Sequence, residues 1–567
     1  MVPSLVNLCA KEVVRDHSSS ASWLNCVPRE LYGPLLDAAF TNCRPLAVGE
    51  LVQRWPERTL RVGGRKKAGQ SPPNRLCVQA LLLAVVRGLS DKRCDLQALD
   101  LCGLQCEEGG VGDPMGGWSL TVALCTMAVQ ARAGAQRAHR KEGERERKRV
   151  LTMEREKDVV KRERGWGKRV GEEKEEEPGE EGGPGEWVRN VQEGSDTGTS
   201  QREEERTTGV RRRMEMERKR MTGGKAVETE DSEPDCEVLV RVRADLFINA
   251  RSWERVRMAL GTAGPLKLQC RYLRVEELSV SSIGTLLDLL PSQGVLGVDI
   301  RYSCLGVAGL ALLLPQLSTF SLLTSLRLHY CNLDVRRDLA GQEGALRDMS
   351  DGLGQLGQLR RLSLTALRLP GHLRMLLSSL SHPLEVLELP YLSLTPADLS
   401  YLSCSPHAAT LQQLDLSENR LDESTLPSLR RLLSQASGGL LHLCLSGCGL
   451  NDGLLGALLP SMGCCRALRS LGLALNPLSL MGLLELVRTA IRLPSLKQLL
   501  YPNPLEDYQP GLPALPSSAQ LLDWPLEEMM EVHEATSLRL ENMLTESGRS
   551  DLLLTCDLLN YDKDLVD

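Results

Sequence analysis

The sequence predicts an α/β fold: a leucine-rich-repeat solenoid, or horseshoe, with short parallel strands on its concave face, helices on its convex face and an N-terminal helical head. Two observations predict it. The C-terminal half repeats the pattern L-x-x-L-x-L-x-x-N/C-x-L, which is the leucine-rich-repeat signature. Only three Phe, nine Tyr and seven Trp occur in 567 residues, so leucine must fill the core, as is usual in repetitive folds.

The copies of this pattern define the repeating unit. Complete copies begin at Leu323, Leu411, Leu440 and Leu468, and weaker ones begin near Val295, Leu359, Leu384 and Leu496. Alternation turns the leucines inward from a strand, and the Asn or Cys is expected to hydrogen-bond the backbone where the strand turns. From Leu384 onward the starts recur at about 27 to 29 residues, which leaves room for a convex helix, as at 424–433 and 452–462.

The segments around this array are predicted from their apolar spacing. Residues 1–94 form a helical head, because SLVNLCAKEVV, ELYGPLLDAAF and LCVQALLLAVVRGL each place apolar residues three and four apart. Residues 95–133 contain an early copy, LQALDLCGL, which opens or caps the solenoid. The main array covers 234–510 and starts with the strand-like CEVLVRVRADLFI. Residues 511–567 are expected to form a helical cap or tail.

A charged insert interrupts the array over residues 134–233. Runs such as RKEGERERKR and GEEKEEEPGEEGGPGE have no apolar periodicity and cannot bury a core. The insert is therefore predicted to be disordered, with transient helix near 140–164. A nucleic-acid or nuclear-localisation patch at 140–149 is not favoured, because Glu is interspersed with the basic residues and aromatic residues are lacking.

Composition and motifs argue against several classes of function. The net charge of −6 does not favour a nucleic-acid-binding surface, and no Leu-rich run is long enough to cross a membrane. The cysteines lie at irregular spacing, which favours a reducing cytoplasmic or nuclear setting. No Walker loop, HExxH, GxSxG or zinc-spaced cysteine pairs occur, so we expect a non-enzymatic protein with no cofactor, metal or small-molecule substrate.

The concave face is the expected site for a protein substrate, because a curved solenoid exposes there the strand residues that lie between inward leucines. The same residues are also ordinary solvated strand surface in most repeats. The candidates for substrate contact are Arg327, His329, Tyr330, Glu388, Asp415, Glu418 and Cys444.

The first predicted helix carries a second candidate site. Leu5, Cys9 and Val13 follow one another at four-residue spacing and so share one face, and Ser4 is placed to cap the helix. This pattern resembles the elongin-binding box, in which the leucine fills an apolar pocket and the small cysteine permits close approach. The alternative is that these three side chains pack the helical head.

A short segment after this helix has its own resemblance. In VPREL, the residues Val27, Pro28 and Leu31 resemble the box that selects cullin 2. Together with the first helix, this segment would give the head two separate contacts with a ubiquitin ligase.

These features together resemble the leucine-rich-repeat-containing protein 14 group, which is related to the PRAME family. The resemblance covers the head with VPRELYGPLLDAAF, the first repeat LQALDLCGL and nearly all of 236–510. It is most specific in SLRLHY, PLEVLEL and DLSYLSCSPHAATLQQLDLS. In that group the linker after DPMGGWSL is much shorter. The insert is therefore either a lineage-specific tether or retained non-coding sequence, and its abrupt composition favours the latter.

The resemblance implies a substrate receptor of elongin B/C and cullin 2 ubiquitin ligases, with the concave face holding a protein substrate. The alternative is a ligase-independent scaffold that blocks a signalling complex, such as a kinase or transcription factor of the NF-κB pathway. A third reading is nuclear-receptor binding through LxxLL. It is not favoured, because leucine repeats generate that motif, here at 286–290, 373–377, 429–433 and 496–500.

Overall fold

A single parallel sheet organises the repeats. In the computed structural model the described residues are 5–15, 26–62, 74–91, 95–104, 119–166, 239–261, 263–334, 342–526 and 530–558. Within these residues, thirteen strands pair in strict chain order, each parallel to the next. They are β1 Thr59–Arg61, β2 Ala98–Asp100, β3 Val240–Asn249, β4 Leu266–Glu276, β5 Gly297–Arg301, β6 Ser325–His329, β7 Arg361–Thr365, β8 Val386–Glu388, β9 Gln413–Asp415, β10 His442–Cys444, β11 Ser470–Gly472, β12 Gln498–Leu500 and β13 Leu553–Thr555.

Helices connect successive strands of the array, and each of these helices packs against the next one. This strand-helix alternation is the arrangement that the repeat spacing predicts, and the solenoid fold is confirmed. The array helices are α6 Trp253–Leu260, α7 Val280–Leu289, α8 Gly306–Leu317, α9 Gln342–Gly354, α10 Leu373–Ser378, α11 Pro396–Cys404, α12 Leu426–Ala436, α13 Asp452–Met462 and α14 Leu480–Ile491.

The predicted Asn and Cys positions hold the strand ends together. The Asn419 side-chain amide donates to Leu389 O at 2.8 Å and to Leu416 O at 2.9 Å, and its Oδ1 accepts from Leu394 N at 3.1 Å. Asn476 makes the equivalent bonds, and the Cys448 thiol donates to Leu416 O at 3.2 Å. These buried side chains satisfy backbone groups that the turn leaves without sheet partners.

The sheet begins inside the predicted head. The helices α1 Leu5–Arg15, α2 Tyr32–Thr41, α3 Pro45–Gln53 and α4 Arg75–Asp91 form the head as expected. However, β1 lies between α3 and α4 and pairs with β2, so the expectation of a purely helical head is wrong at this point. The strand has three residues and only Leu60 is buried, and it lies outside any complete copy of the leucine pattern that reveals equally short strands such as β2.

The C-terminal region also differs from the helical cap that the sequence predicts. The helices α15 Ser518–Asp523 and α16 Met530–Glu546 are present, but β13 follows them and pairs with β12 as the last strand of the sheet. Lys497 O accepts from Leu553 N at 2.8 Å. The Arg549 side chain donates to the carbonyls of Ile491, Leu493 and Leu496, and thereby anchors this strand to the preceding repeat.

The charged insert differs from its prediction in its first third. Helix α5 runs without interruption over Leu120–Trp166, so the predicted disorder is wrong for residues 134–166. Leu120, Leu124 and Met127 are buried and begin the helix on an apolar stripe. Beyond residue 135 the described side chains are exposed, and the helix consists of strong helix formers with pairs such as Glu146 and Arg149 at 4.0 Å. Residues 167–233 lie outside the described residues.

The chain divides into two compact units, residues 1–135 with 237–567, and residues 136–236. The first contains the whole sheet and every candidate site residue that the structure describes. In the part of the chain with described coordinates, no helix is long and apolar enough to span a bilayer.

Candidate protein-binding surfaces

Helix α1 presents the predicted box to solvent. Ala10 and Val14 are 5% and 1% exposed, and they attach the helix to α2. Leu5 is 77% exposed and Val13 is 45% exposed, and Cys9 between them is exposed as well. The interpretation in which Leu5, Cys9 and Val13 pack the head is therefore wrong. Ser4, the predicted cap, lies outside the described residues.

The VPREL segment is only partly available. Pro28 is exposed and its carbonyl accepts from Leu31 N at 3.1 Å, which closes a single 3-10 turn over Arg29–Leu31. Leu31 is 38% exposed. Val27 is half-buried and packs against the core of the head, so it supports the segment more than it offers a contact.

On the concave strands, Arg327 and His329 occupy the outward positions of β6, and both are half-buried. The imidazole of His329 lies 3.4 Å from Ser363 Oγ on the next strand. Burial lowers the pKa of His329 to about 4, so the imidazole is neutral near pH 7. Asp299 and Arg301 form an ion pair on β5 at 2.8 Å, beside these residues.

Tyr330 belongs to a column of residues with left-handed backbone. It has φ +53 and follows the end of β6, and its ring stacks on that of Tyr302 at 5.3 Å with an interplanar angle of 16°. Tyr302 and Tyr391 occupy the same position of their own repeats, with φ +50 and +60. The sequence prediction missed both, although alignment of the residues immediately before the turn position would have found them. All three tyrosines are about half exposed, at 46 to 53%.

Two of the predicted concave contacts are not available. Asp415 and Cys444 are 8% and 7% exposed, so their prediction as free substrate contacts is wrong. The Asp415 carboxylate accepts from the Ser417 backbone at 2.9 Å and from its hydroxyl, and that hydroxyl lies 3.1 Å from Cys444 Sγ. Hydrogen bonds with Ser417 hold these two side chains against the strand. Glu388 is half-buried and accepts from Gln413 Nε2 at 2.7 Å.

The C-terminal segment hydrogen-bonds to Glu418, another residue that the sequence predicts as a substrate contact. Ser518 at the start of α15 donates to Glu418 Oε2 at 2.6 Å, across 100 residues of sequence. Burial raises the pKa of the Glu418 carboxyl. Glu418 has φ +59 and continues the column that contains Tyr391. It is therefore half-buried under the chain's own C-terminal segment, which the sequence prediction did not foresee.

The LxxLL leucines contribute to the core instead of a docking surface. Within the described residues, every leucine of the motifs at 286–290, 373–377, 429–433 and 496–500 is buried except Leu289, which is half-buried. A receptor would have to unfold the repeats in order to bind them.

Comparisons with known proteins agree with this architecture. Models of the PRAME N-terminal and C-terminal domains match residues 2–107 and 248–516. Leucine-rich repeat-containing protein 14 of Xenopus laevis is 35% identical over 98% of this chain and 97% of its own length. The human protein of that name is 40% identical over 56% of this chain and 64% of its own length, slightly under two thirds.

The matches among solved structures have low sequence identity. In the mouse RP105/MD-1 complex, a chain of 14% identity aligns over 58% of this chain and 62% of that chain, with a TM-score of 0.25. The near-complete match to the Xenopus laevis protein and the two domain matches show that this chain belongs to the leucine-rich-repeat-containing protein 14 group of the PRAME family, whose fold is that of a protein-binding scaffold.

Proposed function

We propose that this protein is the substrate-recognition subunit of an elongin B/C and cullin 2 ubiquitin ligase. In this proposal Ser4, Leu5, Cys9 and Val13 bind elongin C, and Pro28 and Leu31 contribute to the choice of cullin 2. The concave face then presents a protein substrate. In this role the chain performs no chemistry of its own, and it works in the cytoplasm or nucleus.

The exposure of Leu5 is the observation that carries this proposal. A side chain that is 77% exposed on a well-anchored helix leaves apolar area in water without any packing benefit to the head. The buried side chains of α1 are Ala10 and Val14, so the face that bears Leu5, Cys9 and Val13 is reachable in the folded chain, as a substrate receptor requires. The small Cys9 at the centre permits a partner helix to approach closely.

The test is co-purification of elongin B/C and cullin 2 with the full chain and with a Leu5→Ala, Cys9→Phe double variant. The variant should lose elongin and cullin together, because truncation removes the anchor and the ring blocks close approach. The matched control is Leu8→Ala, Lys11→Phe, which truncates an exposed leucine and adds a ring elsewhere on α1. It should retain both partners, and circular dichroism should show all three proteins folded.

A second variant separates the two contacts. Pro28→Ala, Leu31→Ala should keep elongin B/C and lose cullin 2. If the wild-type chain captures no elongin, or if both α1 variants lose it equally, the ligase proposal fails. The chain would then be the ligase-independent scaffold that restrains a signalling complex, a role that needs the concave face but not an exposed Leu5.

A further inference from the structure

An open groove lies on the helical side of the solenoid, away from α1. It runs between α7 and α8, has a volume of about 960 Å³, and includes among its lining residues Glu277, Asp288, Tyr302, Leu312 and Gln316. We call it the α7–α8 groove. One side is the face of α7 that bears Ser281, Gly284, Thr285 and Asp288, and the other is formed by Leu312, Leu313 and Gln316 of α8.

The polar side chains that line this groove include an excess of hydrogen-bond acceptors. Its only charged lining residues are Glu277 and Asp288, both exposed carboxylates. Neither has an ion-pair or side-chain hydrogen-bond partner within the described part of the chain. Gln316 lies across Gly284, and its Oε1 is fully buried with no partner there. The two exposed carboxylates accept hydrogen bonds and donate none, so they suit a ligand that brings N–H groups.

The position of Asp288 strengthens this reading. It is in the last turn of α7, which ends at Leu289, where the backbone carbonyls give the helix its negative end. A carboxylate there is unfavourable for the helix by itself, and no cation of the described chain neutralises it. A cationic side chain bound at this end of the groove would be stabilised by the carboxylate and by the helix dipole together.

The remaining lining offers apolar and aromatic contact. Leu312 of α8 is 66% exposed and stands beside the groove. At the Glu277 end, Tyr302 is 53% exposed, and stacking on Tyr330 fixes its ring. A rigid tyrosine ring next to a carboxylate is a favourable environment for a guanidinium or ammonium group.

We propose that the α7–α8 groove binds an extended basic segment of a partner protein, with a cationic side chain at each end and an apolar side chain between them. Helix α7 is ten residues long, or about 15 Å. In an extended peptide, residues i and i+4 lie on one face about 13 Å apart. Long basic side chains at these two positions can span the remaining distance to the carboxylates. One cation meets Glu277 beside Tyr302, the other meets Asp288, and the apolar side chain meets Leu312.

This site is independent of the elongin contact, since it uses neither α1 nor the VPREL segment. The probe is the fluorescein-labelled peptide Arg-Ala-Leu-Ala-Arg with blocked ends, titrated with the full chain in a fluorescence anisotropy assay. The comparison peptide, Gln-Ala-Leu-Ala-Gln, keeps the length and the apolar centre but lacks both charges. The basic peptide should bind more tightly, and raised salt should weaken it.

The deciding variant is Glu277→Gln, Asp288→Asn, which removes two exposed charges with little change of shape and should weaken binding by about tenfold. The matched control is Glu485→Gln, Asp348→Asn, which removes the same charges from exposed positions on α14 and α9. It should leave the affinity unchanged. Leu312→Ser should weaken both peptides, and Tyr302→Phe should weaken neither.

Three outcomes would overturn the proposal. Equal loss in the Glu277, Asp288 variant and its control would mean that the peptide responds only to overall charge. Equal binding of the two peptides by the wild-type chain would mean that no acceptor of the groove is used. Unchanged binding by the Leu312→Ser variant would show that the peptide binds to another surface.

Discussion

Asn419 and Asn476 illustrate how much of the structure single side chains determine. Each amide bonds carbonyls of its own repeat and of the preceding one, at 2.8 and 2.9 Å, inside a leucine core. An unsatisfied buried polar group costs about 1 to 3 kcal/mol, so these residues both close a turn and join neighbouring units. The sequence predicted this role because the repeat pattern gives the position directly.

His329 gives a pH dependence that can be measured. Its folded-state pKa is about 4, whereas an unfolded histidine titrates near 6.5. As the pH falls from about 6.5 towards 4, the unfolded chain binds a proton that the folded chain does not, so the free energy of unfolding decreases. Above pH 6.5 this contribution is fully present. Between pH 7.5 and pH 5 the loss from this residue should be about 2 kcal/mol in urea denaturation.

Variants isolate this contribution. His329→Gln has no imidazole to protonate and should lose about 2 kcal/mol less than the wild-type chain over that interval. His382→Gln, at an exposed histidine, should follow the wild type. Identical losses in all three proteins would show that the imidazole is not buried in its neutral form.

The site residues were less predictable than the Asn and Cys positions of the repeats. Helical spacing placed Leu5, Cys9 and Val13 on one face, and the resemblance to the elongin-binding box predicted docking there. Their exposure agrees with that role. Asp415, Cys444 and Glu418 were chosen by strand alternation, which gives the face of the sheet but not the local folding of short polar side chains. Ser417 hydrogen-bonds to Asp415 and Cys444 and so keeps them from being free contacts. Ser518 donates to Glu418 from 100 residues away, and no repeat pattern encodes that contact.

At the scale of the element, the C-terminal segment around α15 is held to the solenoid by few groups. Leu521 is 4% exposed, whereas the adjacent Leu522 is 59% exposed. Trp524 Nε1 donates to Gln509 O at 3.1 Å, and Ser518 donates to Glu418. A six-residue helix with a single deeply buried leucine has little cooperative stability of its own, so it should separate from the sheet before any repeat unfolds.

Leu521→Asp should release this segment and leave the array folded, because a buried carboxylate without a partner is costly. Hydrogen exchange should accelerate over residues 517–526 and stay slow in β6. Leu522→Asp, at the exposed neighbour, should behave like the wild-type chain. Faster exchange throughout the sheet in Leu521→Asp would mean that the segment is integral to the core.

Element prediction succeeded where a pattern had room to repeat. The array strands from β5 onward follow from leucine spacing, and apolar spacing predicted three of the four head helices, whereas β4 was not predicted. The strands β1 and β13 are no shorter than β9 or β10, but they lie outside complete copies of the leucine pattern. They are strands because a neighbouring strand offers hydrogen bonds. Helix α5, in contrast, needs no neighbouring element in the charged segment, because helix propensity and charge pairs within the helix stabilise it without burial.

At the scale of the molecule, each repeat contacts mainly its neighbours, which makes the solenoid tolerant of long insertions. About 140 residues separate the end of β2 from the start of β3, yet the two strands pair in register. The closure cost of such a loop grows only logarithmically with its length. The two borders of the insertion also lie close together, because Arg132 lies beside Gly264, and the carbonyl of the adjacent Pro265 accepts from Leu239 N.

Deletion of residues 137–236 should therefore preserve the fold. Shortening the connection to about 40 residues lowers the closure cost by about 1 kcal/mol, so the free energy of unfolding should be unchanged or slightly higher. Urea denaturation compares the two chains, and replacement of the same residues by an equally long Gly-Ser linker is the control. A large loss of stability on deletion, but not on replacement, would show that the connection needs its length.

The pairing of β2 with β3 has one more consequence. These strands meet through backbone hydrogen bonds. The buried residues at the start of α5, such as Leu120 and Leu124, remain with β2 when the chain is divided after residue 135. Two polypeptides covering residues 1–135 and 237–567 therefore carry complementary edges of one sheet. Cutting the gene at this point would turn a folding event into a bimolecular association, so the chain offers a natural place for a split-protein reporter whose signal is the completion of the horseshoe.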